Sequence, residues 1–175
     1  MSPGLKKWAR YGLWFAVAAV VALMLSRRAS GPAVGVPAPD VDLPLLAAAG
    51  QRFKLGGALG TPVVIEAFTS WCAVCERSAP RFTAAALAPR KREVRFVGVS
   101  LDESVEAAQR AKDEWRLPYE VALDDGSFGR SFKIKLLPTL IVIDAEGRVR
   151  HVSTGRLDRD ELEEQLDALG AGVKD

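Results

Sequence analysis

The sequence predicts an α/β fold with a parallel sheet at its centre, and three observations point there. Three short runs rich in β-branched and apolar residues, at 62–68, 94–100 and 140–143, read as buried strands. Helix-patterned stretches follow the first two runs at 76–87 and 102–115, and strand, helix, strand, helix in this order builds parallel pairs. At 175 residues with two cysteines, the chain can bury one core of ordinary size and has no disulfide framework.

The N-terminal thirty residues form a separate object. Lys6, Lys7 and Arg10 precede an uncharged run from Tyr11 to Ser26, and Arg27 and Arg28 follow it. As a helix this run spans about 24 Å at ~1.5 Å per residue, slightly short of the ~30 Å hydrocarbon core. Trp8, Tyr11 and Trp14 suit the interface, and the arginines can snorkel. The run therefore reads as a single transmembrane anchor. Its rival, a cleaved signal peptide, lacks a clean small-residue cleavage site, because Arg27, Arg28 and Pro32 occupy the critical places. Basic residues flank both ends, with a slight excess before the run that favours a cytoplasmic N-terminus. Residues 29–39, with Gly31, Pro32, Gly35, Pro37 and Pro39, read as an extended linker that holds the following domain off the bilayer.

Beyond the linker, residues 41–45 and 52–55 around Gly50 read as a hairpin. The helix at 102–115 has an approximate stripe of Val105, Ala108, Ala111 and Trp115. A strand at 119–123, an Asp125-Gly126 turn and a short helix opening at Ser127 come next. The strand at 140–143 turns at residues 144–147 into another at 149–153. For the closing helix, Asp158 as N-cap with Glu161 makes a capping box, Leu157 with Leu162 a hydrophobic staple, and Leu162, Leu166 and Leu169 a core face.

The chemistry centres on Thr69-Ser70-Trp71-Cys72-Ala73-Val74-Cys75, which holds both cysteines directly after the first buried strand. Cys72 falls at a strand-to-helix turn, where the first helical N–H groups lack partners and the positive helix end favours a thiolate. It is the expected nucleophile. Cys75, one turn in, is placed to resolve a mixed disulfide. A purely structural disulfide is a weaker reading, since such bridges stabilise most when they close long loops. A zinc site would need a second ligand pair, and His151 is the one histidine. Glu66 interrupts the apolar strand before the pair. If buried, its carboxyl has a raised pKa and can take the Cys75 proton; the alternative is an acid turned to solvent at the strand edge.

Trp71-Cys72-Ala73-Val74-Cys75, Pro80 in the following helix and Leu137-Pro138-Thr139 before a later strand resemble the thioredoxin superfamily. More narrowly, they resemble its membrane-anchored TlpA/ResA-like thiol-disulfide oxidoreductases, over roughly residues 36–169. The resemblance implies a thioredoxin-like fold, a central mixed sheet flanked by helices, with an N-terminal hairpin and a central insert at about 112–134. It divides the chain into a cytoplasmic N-terminus and anchor (1–28), the linker (29–39) and a thioredoxin-like domain (40–175). It implies a cis Pro138 beside the CxxC, with the Leu137 backbone free to pair with an extended substrate and Thr139 completing that motif. Trp71 becomes an active-site lid packed beside Cys72. Glu66 stands six residues before Cys72, where thioredoxins carry a buried Asp and many TlpA-like proteins Asn. Two departures bear on redox potential: the family commonly has a proline where Val74 stands, and thioredoxin has Lys where Glu76 stands.

The function so implied is reduction of disulfides in extracytoplasmic client proteins, of the cytochrome c or copper-site assembly type. Electrons would come from a membrane donor of the thiol-transfer type. The catalytic domain would sit on the outer, periplasmic side of the inner membrane. No cofactor beyond the Cys72–Cys75 redox-active disulfide, and no metal, is implied. A Sco-like copper protein on the same fold would want CxxxC and a His ligand, for which only His151 speaks. A peroxiredoxin would want a PxxxTxxC setting, which is absent. The net charge of +2 and the lack of a basic stripe interleaved with aromatics argue against nucleic acid.

Overall fold

The computed structural model describes residues 14–21, 31–46, 50–56 and 59–171. Strands are β1 (Val41–Pro44), β2 (Arg52–Leu55), β3 (Val63–Phe68), β4 (Arg95–Ser100), β5 (Glu120–Leu123), β6 (Thr139–Ile143) and β7 (Val149–Thr154). Helices are α1 (Ala73–Leu87), α2 (Val105–Glu114), α3 (Ser127–Ser131) and α4 (Arg159–Ala168). The main sheet has the order β5-β4-β3-β6-β7. Its β3–β4 and β4–β5 pairs are parallel and its β3–β6 and β6–β7 pairs antiparallel, so the sheet is mixed.

Topology sets which side each helix takes. The crossovers β3-α1-β4 and β4-α2-β5 step the same way across the sheet, and right-handed crossovers then put both helices on one face. On that face Phe82 of α1, Ala111 of α2 and Leu162 and Leu166 of α4 pack on Val64, Phe68, Phe96, Val121 and Val142. The opposite face, with Ile65, Val97, Val99, Ile141 and Ile143, is covered by Leu43, Phe53 and Leu55 of the hairpin and by Phe128 and Phe132 of α3. Covered on both sides, β3 is buried throughout, which is why it lacks polar alternation.

The hairpin forms as expected, but as a separate two-stranded sheet. Leu45 leaves it to bridge Ala122, and the Leu46 N–H donates to the Val121 carbonyl, so the chain covers the outer edge of β5. The segment at 112–134, expected as an insert, supplies β5 and α3.

The described part of the linker is docked rather than free. The Gly35 N–H donates to Val149, the Val149 N–H to Val36, and the Ala38 N–H to Gly147. Gly31, at φ +90°, lies so close to Val152 that a Cβ would collide with its side chain. Half of the apolar run expected as the anchor, residues 11–13 and 22–26, lies outside the described residues. Residues 14–21 are helical, and among the described residues no helix is long and apolar enough to cross a membrane.

Several helix ends fall elsewhere than the sequence suggested. α1 begins at Ala73 rather than 76, because Cys72 itself is the N-cap. α2 begins at Val105 because Ser104 caps it, its hydroxyl accepting from the Ala107 N–H at 3.2 Å; Val105 is consequently exposed and leaves the expected stripe. The Asp158 carboxylate caps α4 through Asp160 and Glu161 N–H groups, while the Glu161 carboxylate turns to His151, 3.5 Å from its Nε2.

Candidate functional site

The carboxyl ends of β3, β4 and β5 share one end of the sheet, where open α/β folds place their ligands. The antiparallel register Ala67↔Thr139 brings the start of β6, and so the Leu137–Pro138 peptide, to that same end. That peptide is cis. Strand pairing thus places residues 72–75 and 137–139, far apart in sequence, at the same end of the sheet.

Cys72 and Cys75 are joined in a disulfide, with Cα atoms 5.2 Å apart. Cys72 caps α1: its Sγ accepts the Cys75 N–H at 3.2 Å, and its carbonyl accepts the Glu76 N–H at 3.1 Å. In the reduced protein the Cys75 N–H and the helix end would favour a thiolate on Cys72. Cys72 is 8% exposed and Cys75 1%, so an incoming sulfur meets Cys72 first. Trp71, expected as a lid packed beside Cys72, is 77% exposed and, with Leu136, offers apolar surface to solvent. Leu137 is half-buried, and Thr139, fully buried, donates its hydroxyl to the Leu136 carbonyl at 2.7 Å.

Glu66 is 4% exposed. It alternates in step with Val64 and Phe68, so it faces the side of the sheet that α1 covers. The Tyr119 hydroxyl donates to its carboxylate at 3.4 Å. Burial pushes the Glu66 carboxyl up to about 8, a rise that the Tyr119 hydrogen bond only partly offsets. Burial, then the neighbouring Glu66 charge, likewise raises the Tyr119 phenol. Gly98, opposite Glu66 in the β3–β4 register, makes room for these groups: a Cβ there would lie 3.0 Å from Phe68 and 3.3 Å from Tyr119. A Gly inside a strand signals such an approach, although the sequence reading passed it over.

Asp102 was also missed. It is buried at the end of β4, where its carboxylate accepts the Ser70 N–H at 2.9 Å, the Ser70 hydroxyl at 2.8 Å and the Ser100 hydroxyl at 2.7 Å. With the Cys72 N–H donating to the Thr69 carbonyl at 3.1 Å, these bonds fix the turn that delivers Cys72 to the helix end. Among the described residues no group of three or more His, Cys, Asp or Glu is placed to hold a metal ion.

The chain is similar to proteins of known class. Residues 33–169 match the Redoxin family. The thiol:disulfide interchange protein DsbE of Xylella fastidiosa (strain 9a5c) is 30% identical over 143 residues, covering 81% of this chain and 71% of that protein. The thiol-disulfide oxidoreductase ResA of Geobacillus kaustophilus (strain HTA426) is 25% identical over 138 residues, covering 78% of each. The solved structure of a thioredoxin family protein from Chlorobium tepidum TLS shares the fold, with a TM-score of 0.64 at 22% identity over 79% of this chain and 98% of that one. A CxxC pair at a helix N-terminus, on a thioredoxin-like mixed sheet, agrees with these likenesses: the chain belongs to the Redoxin family and is a TlpA/ResA-like thiol-disulfide oxidoreductase of the thioredoxin superfamily.

Proposed function

We propose that this oxidoreductase works as a membrane-tethered reductant of disulfides in extracytoplasmic client proteins, with cytochrome c or copper-site assembly proteins as the client classes. The observation that carries the reading is the asymmetry of the pair, Cys72 capping the helix and the more exposed, Cys75 enclosed. Cys72 thiolate attacks a client disulfide, the client S–S bond breaks, and a mixed disulfide forms as one client thiolate leaves. Cys75, losing its proton to Glu66 in the fraction of molecules whose Glu66 is ionised, attacks Cys72 Sγ; the Cys72–Cys75 bond forms and the second client thiolate is released. The client gains two electrons and two protons, and a membrane thiol-transfer donor restores the dithiol. Leu137, Pro138 and Thr139 at the same sheet end, with the exposed Trp71 indole, serve as the surface against which the client backbone lies. The names of the relatives, an interchange protein and an oxidoreductase, support the reaction class.

Direction is tested by the reduction potential of the full-length protein equilibrated against thiol buffers. A reductant is expected near thioredoxin, about −270 mV, and a value near the strong oxidants, about −120 mV, would make the protein a disulfide donor. The roles of the two sulfurs are tested by trapping: Cys75→Ser should accumulate a mixed disulfide through Cys72, and accumulation with Cys72→Ser instead would reverse them.

A further inference from the structure

We propose that the recess beside the CxxC is a docking site for an acidic segment of the thiol partner protein, a proposal that rests on the reductant reading and narrows its substrate class. Val74, Arg77 and Arg81 stand at i, i+3 and i+7 on α1 and so share one stripe of the helix. Arg156 joins them from the loop after β7. That loop is held in place: Leu157 is buried in the core, and its N–H donates to Ser78 Oγ on α1 at 3.4 Å. Together the four residues line a recess of about 490 Å³. Its apolar member, Val74, stands between the two cysteines.

The charges at this recess are unmatched. Among the described residues no carboxylate lies within ion-pair distance of Arg77, Arg81 or Arg156; Arg81 Nη1 instead donates to the Arg77 carbonyl at 3.3 Å. Arg81 and Arg156 also line the neighbouring recess with Asp158 and Asp160, yet neither acid comes within ion-pair distance of them. The Asp158 carboxylate is turned to the start of α4, where it accepts the Asp160 and Glu161 N–H groups. Glu76 belongs to the adjoining stripe of α1 with Ala73 and Pro80. Three guanidinium groups at one rim favour carboxylates, which they can bind in a bidentate fork. A protein segment is the occupant, because Val74 of the recess stands between the two cysteines and the reacting client is itself a protein. Complementary charge at such a rim acts chiefly on encounter and choice of partner.

The test uses the full-length protein in uncharged detergent and two peptides, each with one internal disulfide and differing only in three flanking Glu or three flanking Lys. Binding is measured with both peptide cysteines replaced by serine, and oxidation of the reduced protein is followed with the disulfide forms. The Glu peptide should bind more tightly and react on the order of 10-fold faster at low ionic strength, with the difference largely gone at about 1 M salt. In the triple variant Arg77→Glu, Arg81→Glu, Arg156→Glu the preference should reverse, while the rate with neutral bis(2-hydroxyethyl) disulfide holds. Equal treatment of the two peptides by the unaltered protein would overturn the proposal. So would a parallel loss of the neutral rate, which would assign the arginines to thiol reactivity. Tighter binding of short-chain phosphatidylglycerol than of the Glu peptide would assign the recess to lipid. A protein that reduces no disulfide would sink the reductant reading, and the serine peptides would still decide the docking site.

Discussion

A carboxyl on the central strand, with a phenol as its hydrogen-bond partner, is costly once ionised, and Glu66 therefore holds its proton to about pH 8. In the unfolded chain it releases that proton near 4.5. Between those values the folded state binds a proton that the unfolded state has lost, so this group subtracts stability as pH rises through the window, by about 1.4 kcal/mol per pH unit. Above about 8 the loss levels off. Glu66→Gln keeps an acceptor for the Tyr119 hydroxyl and removes the charge. Its melting temperature should match the parent near pH 4.5, exceed it increasingly up to about pH 8, and stay above it by a steady margin beyond. Resolution of the mixed disulfide should slow in the same variant while the first attack by Cys72 is spared; equal kinetics across pH 6 to 9 would remove Glu66 from the mechanism. The oddity of an acid in this strand was legible in the sequence. Its facing was not, because a strand buried on both sides has no polar alternation to show which face is which.

The turn from β3 into α1 shows where local pattern fails. Asp102 resembles a helix start in sequence, and α2 was expected to open there, but its carboxylate is engaged by Ser70, 32 positions earlier. No window of neighbouring residues contains that bond. Cys72 was expected near a helix end but not as its cap, since thiols are not among the usual capping side chains. Strand and helix identities, by contrast, were legible from apolar runs and from proline and glycine punctuation. Asp102→Ala leaves the part-buried Ser70 and the buried Ser100 donors short of an acceptor and should destabilise the oxidised protein by about 2–4 kcal/mol. If the bonds also hold Cys72 at the helix end, the pH profile of Cys72 alkylation in the reduced variant should shift to higher pH. Lost stability with an unmoved profile would confine Asp102 to a supporting role in the fold.

Across the whole chain, the sheet order and the docking of residues 31–38 needed the structure, because β6 pairs with β3 across an intervening 70 residues. The likeness to a known fold supplied the mixed sheet that periodicity could not. One consequence joins the two ends of the problem. If the apolar run ends at Ser26 and docking begins at Gly31, residues 27–30 alone separate bilayer and domain, a reach of about 14 Å at ~3.5 Å per residue. A domain held that close suits exchange with a membrane-embedded donor. The full-length protein should therefore sediment with membranes and remain there through high-salt and carbonate washes, and protease should release a fragment whose N-terminus lies at or before Gly31, since the chain beyond is bonded to β7. Recovery of a shortened soluble form from untreated cells would identify residues 11–26 as a cleaved signal peptide. The same outcome would free the domain from the bilayer and remove the geometric argument for a membrane donor.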